Sequence, residues 1–242
     1  MHQAARLIMV YSCGKVYHRT LVTCQWQGKM RTDLNVDLLN KICTGLEVEG
    51  HVVIDDAFPA TFISEIQNQL VKLSQHEFKT AGIGRAAGYQ TDTSIRGDEI
   101  LWLDESQSEN KNYFKWVEAL RLALNQQFFL GLSLYECMLA HYPTGAFYHK
   151  HLDAFKSKTE HQPVAARKSN RVVSTLLYLN PNWQPEDGGE LLMYHHEHEK
   201  PFKRILPELG RLVVFLSEEF PHEVLPAKKS RYSLTGWFRR GV

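Results

Sequence analysis

The apolar positions change period about halfway along the chain. Before Leu132 they recur at helical spacing. Leu39, Ile42, Cys43 and Leu46 form one stripe, Phe62, Ile63, Ile66, Leu70 and Leu73 a second, and Phe114, Val117, Leu120, Leu124 and Phe128 a third. Gly50 closes the first helix and Pro59 opens the second. Between the helices, His51–Ile54 and Ile100–Leu103 have the β-branched and apolar character of short strands. After Leu132 the helical period disappears. Short apolar segments follow at 133–142, 146–153, 171–180, 189–195, 202–206, 210–216, 221–226 and 231–238. Turn-rich stretches such as Asn180 to Gly189 and Pro207 to Gly210 separate them. Helices followed by eight short strands predict an α+β fold: a double-stranded β-helix, or cupin-like jelly roll, with supporting N-terminal helices packed on one sheet.

The pattern predicts one domain over 33–242, with helical support over about 33–130 and a jelly-roll core over about 131–238. Residues 1–32 show no clean period. They are read as a tail, disordered or artefactual, with Met30 as an alternative start. Gly82 to Thr93 holds three glycines among polar residues and is read as a mobile loop. There are no internal repeats.

Composition narrows the function classes. A 242-residue chain with 43% hydrophobic residues can fill a sizeable core. A formal net charge of +1 provides no global attraction to nucleic acid or to an anionic membrane. No apolar run approaches the roughly 20 residues of a membrane span. Leu7 to Tyr11 is too short for a secretory signal core. Cys13, Cys24, Cys43 and Cys137 have no paired spacing and are read as buried or free thiols in a reducing, cytoplasmic setting.

The chemistry concentrates in the strand half. His151 and Asp153 form a His-x-Asp pair, His222 follows at a distance, and Arg231 lies nine residues beyond it. On a strand, alternation points His151 and Asp153 the same way and Leu152 opposite. Two imidazoles and one carboxylate can then cap one face of an iron(II) ion and leave the other open. A carboxylate at 153, rather than the Gly or Ala that would leave room for chloride, argues for hydroxylation over halogenation. Arg231, Ser233, Thr235 and Trp237 share one face of the last strand. A buried Arg231 requires an anion. A bound dicarboxylate can supply it, with the Tyr178 hydroxyl adding a hydrogen bond; a protein carboxylate is the alternative. The run His195, His196, His198 is read as a solvated strand end and His149 as a supporting or surface residue. Lys228 and Lys229 are read as solvated charges. Lys156 to Asn170 is polar and is read as a loop near the site's mouth.

The strings "HYPTGAFYHKHLD", "RVVSTLLYLNPNW", "GGELLMY", "PHEVLPA" and "RYSLTGW", with "IRGDEILWL" upstream, resemble the 2-oxoglutarate- and iron(II)-dependent prolyl hydroxylases of the Egl-nine type. The resemblance spans about Glu47 to Phe238, and the little that lies outside it suggests a bacterial member. It implies that His151, Asp153 and His222 bind iron and that Arg231 binds the distal carboxylate of 2-oxoglutarate, assisted by Tyr178. Tyr142, Tyr148, Thr235 and Trp237 would line the pocket. Arg171 would pair with Asp98 to brace the glycine loop. Tyr148, Arg171, Asp98, Arg85 and Ile100 are the substrate-side residues it suggests. The run from Tyr142 to His151 is one residue shorter than in the animal relatives, and Tyr148 needs a bulge to share a face with His151.

The implied activity is a dioxygenase reaction: oxygen and 2-oxoglutarate are consumed, succinate and carbon dioxide are released, and a prolyl residue is hydroxylated at the 4-position. L-ascorbate (vitamin C) is expected to support it. The implied partner is a protein with an exposed proline, elongation factor Tu or another translation protein among the candidates, and the enzyme is expected to be a monomer. Two other readings use the same residues. A nucleic-acid demethylase would need a basic groove with stacking aromatics, which the near-neutral charge disfavours. A non-enzymatic metal-binding jelly-roll sensor would not need every ligand together with Arg231.

Overall fold

The computed structural model describes residues 36–72, 78–82, 91–107, 110–154 and 171–241, the side chains of 69–72 excepted. The 1–32 tail with Cys13 and Cys24, Leu73, Arg85 with most of the glycine loop, and the 156–170 segment lie outside the described residues.

Among the described residues, three α-helices and eleven strands follow in chain order: α1 (Val36–Glu49), β1 (His51–Ile54), α2 (Ala60–Lys72), β2 (Lys79–Thr80), β3 (Glu99–Trp102), α3 (Lys111–Phe128), β4 (Leu132–Tyr142), β5 (Tyr148–His151), β6 (Arg171–Tyr178), β7 (Leu191–Met193), β8 (Lys203–Ile205), β9 (Leu212–Leu216), β10 (His222–Val224) and β11 (Arg231–Arg240). Every predicted helix and strand is present. β2, two residues long and exposed, carries too little pattern to be seen in sequence. β5 is shorter than predicted: it ends at His151, and Asp153 lies in the bend that follows rather than on the strand.

The strands form two antiparallel sheets. The larger runs β1-β9-β6-β11-β4-β3-β2 and the smaller β5-β10-β7-β8. The last eight strands divide four and four between the sheets as a jelly roll requires, β4, β6, β9 and β11 in the larger and β5, β7, β8 and β10 in the smaller, while β1, β2 and β3 widen the larger sheet at its two edges.

Strand alternation explains why helices are needed. Along β4, Cys137 and Leu139 join the core under the helices, while Met138, Ala140 and Tyr142 join the barrel interior. β6 splits the same way, Val173 and Leu177 outward and Leu176 and Tyr178 inward, and β9 sends Leu212 and Val214 outward and Val213 and Phe215 inward. Both faces of the larger sheet are therefore apolar, and only a second layer can cover the outer one. Leu38, Leu39, Ile42 and Leu46 of α1 and Trp116, Val117, Leu120 and Leu124 of α3 form that layer. The inner face lines the barrel and holds the site.

A short polar chain ties the helical layer to the sheet. Tyr113 Oη of α3 and Tyr135 Oη of β4 lie 2.8 Å apart, and Tyr135 Oη is 2.8 Å from Thr175 Oγ1 of β6. Burial pushes both phenols well above their ordinary pKa, so they remain donors. Cys137 is buried beside them with its thiol pushed up to about 12. Cys43 is half-buried and pushed up to about 11 by burial and by Glu47. Neither is disulfide-bonded.

Gly236 makes this chain possible, because a Cβ there would overlap the Tyr135 hydroxyl. Gly236→Ala is expected to destabilise the fold by about 1–3 kcal/mol through overpacking. Chemical denaturation is the measurement, and an unchanged midpoint would show that Tyr135 swings aside freely.

Candidate metal and anion site

His151 ends β5, Asp153 follows two residues later, and His222 begins β10. The register pairs His222 with His151 directly, which brings two residues distant in sequence onto neighbouring strands. One donor atom from each of the three residues lies within 4.8 Å of the others, the only such group among the described residues. His151 Nε2 is 3.8 Å from Asp153 Oδ1 and His222 Nε2 is 3.7 Å from Asp153 Oδ2.

Both imidazoles are oriented by the backbone. His151 Nδ1 donates to the His149 carbonyl at 2.7 Å, and His222 Nδ1 donates to the Phe220 carbonyl at 2.9 Å. A carbonyl only accepts, so each Nδ1 carries the proton and each Nε2 presents its lone pair to the centre. Burial, with His222 nearby, holds His151 down to about 3 and keeps it neutral. Burial raises the Asp153 carboxyl, but His222, His151, Arg171 and the Ser174 hydroxyl outweigh it and hold it at about 2. A neutral imidazole and an ionised carboxylate are the states a metal ion requires. The donor set fits iron(II).

The bulge expected at Tyr148 is present. Tyr148 and His151, three residues apart, face Val224 and His222, two apart. Tyr148 therefore reaches the interior and stacks on His151, ring centroids 3.6 Å apart. His149 is exposed and contributes its carbonyl, not its ring. His195, His196 and His198 are exposed, His195 stacking on Phe202. Lys229 pairs with Asp187.

The metal group opens on a cavity of about 320 Å³. Arg231, Ser233, Thr235 and Trp237 of β11 line it, as alternation predicts, with Tyr142, Tyr148 and Ile100. Arg231 is 1% exposed. Its Nε donates to the Gly189 carbonyl at 2.9 Å, a close approach that a side chain at Gly189 would crowd. Its guanidinium carbon lies 4.8 Å from the Tyr142 ring centroid and 5.0 Å from that of Tyr178. Among the described residues no carboxylate pairs with it, and its second terminal nitrogen has no hydrogen-bond partner. The buried Tyr178 hydroxyl is likewise without one. Burial raises the Tyr178 pKa against the pull of Arg231, so the phenol is a donor. A buried cation with an unpartnered terminal nitrogen and a buried hydroxyl whose proton has no acceptor form a cradle for a carboxylate. That fits 2-oxoglutarate, and among the described residues no protein carboxylate takes its place beside Arg231.

The pairing expected of Asp98 with Arg171 is not what the structure contains. Asp98, 0% exposed, accepts two hydrogen bonds from Arg96: Nε at 2.7 Å and Nη2 at 2.6 Å. Arg96 also donates to the Gly82 carbonyl at 3.1 Å and lies over the Tyr148 ring at 4.3 Å. Arg171 instead donates to Glu136 at 2.6 Å and stacks on Trp237 at 3.7 Å. Arg96 and Asp98 share a face of the same extended segment, so the nearer arginine takes the carboxylate, while Arg171 is level with Arg239 and Leu134, at the opposite end of β4 from the His141–Glu99 pair. Arg96 was the residue missed, and its i, i+2 spacing to Asp98 was the available signal. Ser174 was missed as well, although parity with Tyr178 places it on the interior face of β6.

The chain is similar to known proteins over most of its length. Residues 137–239 match the model of the 2OG-Fe(II) oxygenase superfamily. A crystal structure of a Pseudomonas putida prolyl-4-hydroxylase is 38% identical with a TM-score of 0.71, covering 85% of this chain and 100% of that one. A Trichoplax adhaerens prolyl hydroxylase, solved with a hypoxia-inducible factor oxygen degradation domain peptide, is 30% identical with a TM-score of 0.69, over 84% of this chain and 89% of that one. Human Egl nine homolog 1 is 26% identical over 216 residues, which is 83% of this chain and 46% of that protein. The chain thus spans less than half the length of that curated relative.

Arg96→Ala would leave Asp98 as an unpaired buried charge. It is expected to cost about 3–5 kcal/mol in a denaturation experiment, whereas Arg171→Ala is expected to leave Asp98 paired and to cost less. Equal losses would return the brace to Arg171.

Proposed function

We infer the function from one premise: the chain belongs to the 2-oxoglutarate- and iron(II)-dependent oxygenases, in their prolyl-hydroxylase branch. It hydroxylates a prolyl residue, at the 4-position, in a protein substrate. The observation that carries this reading is the pairing of an open His-Asp-His group with a buried arginine that, among the described residues, has no carboxylate partner. His151, Asp153 and His222 would hold iron(II). Arg231 and Tyr178 would hold the distal carboxylate of 2-oxoglutarate, with Tyr142, Thr235 and Trp237 around it. When bound, iron, 2-oxoglutarate and oxygen supply an oxidative decarboxylation that yields succinate and carbon dioxide and places one oxygen atom on the substrate.

This chain's residues do the positioning. Arg231 orients the co-substrate by a two-point contact that a lysine could not reproduce. The apolar barrel, with Leu176, Leu191 and Val224 on the cavity wall, excludes water from the reacting atoms. Tyr148, Ile100, Arg171 and the pair Arg96–Asp98 form the side from which a prolyl segment approaches, and Arg85 is assigned to the same side from the family resemblance. An exposed Trp102, 52% accessible at the cavity wall, adds an apolar contact for an extended chain.

The substrate is proposed to be a translation protein, elongation factor Tu first among the candidates, as the resemblance to bacterial members suggests. The peptide bound to the Trichoplax enzyme belongs to that enzyme. A cytoplasmic setting and monomeric action are proposed with it, and ascorbate is proposed to sustain turnover. No helix among the described residues is long and apolar enough to cross a membrane. The domain is proposed to occupy 33–242.

Succinate release with iron(II), 2-oxoglutarate and a candidate protein, read beside a gain of one oxygen in the protein's intact mass, tests the function. His151→Ala or Asp153→Ala is expected to abolish both signals in a folded protein. Arg231→Ala is expected to weaken 2-oxoglutarate binding by about 3–5 kcal/mol, with partial rescue by Arg231→Lys. Calorimetry showing wild-type affinity in Arg231→Ala would place the anion elsewhere. Succinate release driven by methylated nucleic acid instead of protein would favour the demethylase reading.

A further inference from the structure

We propose that Ser174, backed by Ser217, is the positioning residue that sets how Asp153 is presented to the metal; this rests on the metal-site reading above. Asp153 lies in the bend after β5, where no strand pairing holds it. What holds it is a hydroxyl chain. Ser174 Oγ donates to Asp153 Oδ2 at 2.7 Å, and Ser217 Oγ lies 2.8 Å behind Ser174 Oγ. Both serines are 0% exposed.

The direction of the chain follows from proton counting. The ionised carboxylate can only accept, so the single Ser174 proton is committed to it. The proton between the serines must then come from Ser217. The order is Ser217 to Ser174 to Asp153. Each carboxylate oxygen lies near one ligand imidazole, Oδ1 3.8 Å from His151 Nε2 and Oδ2 3.7 Å from His222 Nε2, but only Oδ1 accepts no hydrogen bond among the described residues. With Oδ2 held, the carboxylate cannot rotate freely, and Oδ1 is the oxygen left for the ion. One oxygen instead of two keeps positions open for 2-oxoglutarate and oxygen.

The chain also couples two ligand-bearing segments. Ser217 follows β9 and opens the turn that delivers His222, and its own amide donates to the Val172 carbonyl of β6 at 3.0 Å. β6 of the larger sheet therefore anchors the Asp153 bend on one side and the His222 turn on the other. Two fully buried hydroxyls are costly unless they are used, and this is their use.

The test uses cobalt(II) as the probe on the full chain, with calorimetry for affinity, the visible spectrum for coordination and thermal melting for the fold. Ser174→Ala is expected to weaken cobalt(II) binding about 10–100-fold and to change the visible bands, as Asp153 becomes free to turn. With iron(II), the ratio of succinate to hydroxylated product is expected to rise. Ser174→Thr restores the hydroxyl and is expected to restore the spectrum. Ser217→Ala is expected to have a smaller effect that vanishes in the Ser174→Ala background. A folded Ser174→Ala with wild-type affinity and spectrum would overturn the proposal and leave the metal site standing. If Ser174→Ala does not fold, Ser217→Ala decides on the same readouts. A wild-type protein that binds no cobalt(II) would overturn the metal reading and this proposal with it.

Discussion

A full positive charge lies inside the barrel without a negative partner from the described protein residues. Arg231 is buried, anchored through one nitrogen to a backbone carbonyl and flanked by the faces of two tyrosine rings. Desolvating a guanidinium costs several kcal/mol, and ring faces and one carbonyl offset only part of that. The surrounding structure keeps the charge in place. β11 is the central strand of the larger sheet, paired on one side with β4 and on the other with β6. Gly189 brings its backbone close enough to accept from Nε. The stability of the fold is spent on keeping a cation ready for an anion that arrives from outside.

The helical layer serves the same end. An arginine can be held at this depth only in a sheet that does not flex, and a sheet apolar on both faces must be covered on both. α1 and α3 cover the outside, and the smaller sheet covers the inside. The Tyr113–Tyr135–Thr175 chain runs across the outer face of the larger sheet from α3 to β6, the strand next to that of Arg231, with hydroxyl bonds that packing alone would not direct.

Charges around the cavity are paired by distance through the fold. Arg96 and Asp98, two residues apart on one extended segment, neutralise each other and fix the Tyr148 side of the mouth. Arg171, Glu136 and Arg239 form a separate group on the Trp237 side. The two groups keep opposite walls of the cavity in place independently. Asp153 and His151 lie between them: burial weighs most on both, and Arg171 helps to hold the Asp153 carboxyl down.

Periodicity alone determined the helices and the eight core strands along the chain, because each buries a face whose residue spacing follows directly from its backbone geometry. It also determined that Arg231, Ser233, Thr235 and Trp237 share a side, and the spacing of His151, Asp153 and His222 was enough to mark a metal group. The tertiary structure decided the rest. Which arginine meets Asp98 depends on register in space: Arg171 is level with Arg239 and Leu134, whereas Asp98 adjoins Glu99, which pairs with His141 toward the other end of β4. That Asp153 leaves the strand and is held by Ser174 depends on the register between two sheets, which no local pattern encodes. The absence of a protein carboxylate beside Arg231 among the described residues is a property of everything packed around it, visible only once every neighbour has a place.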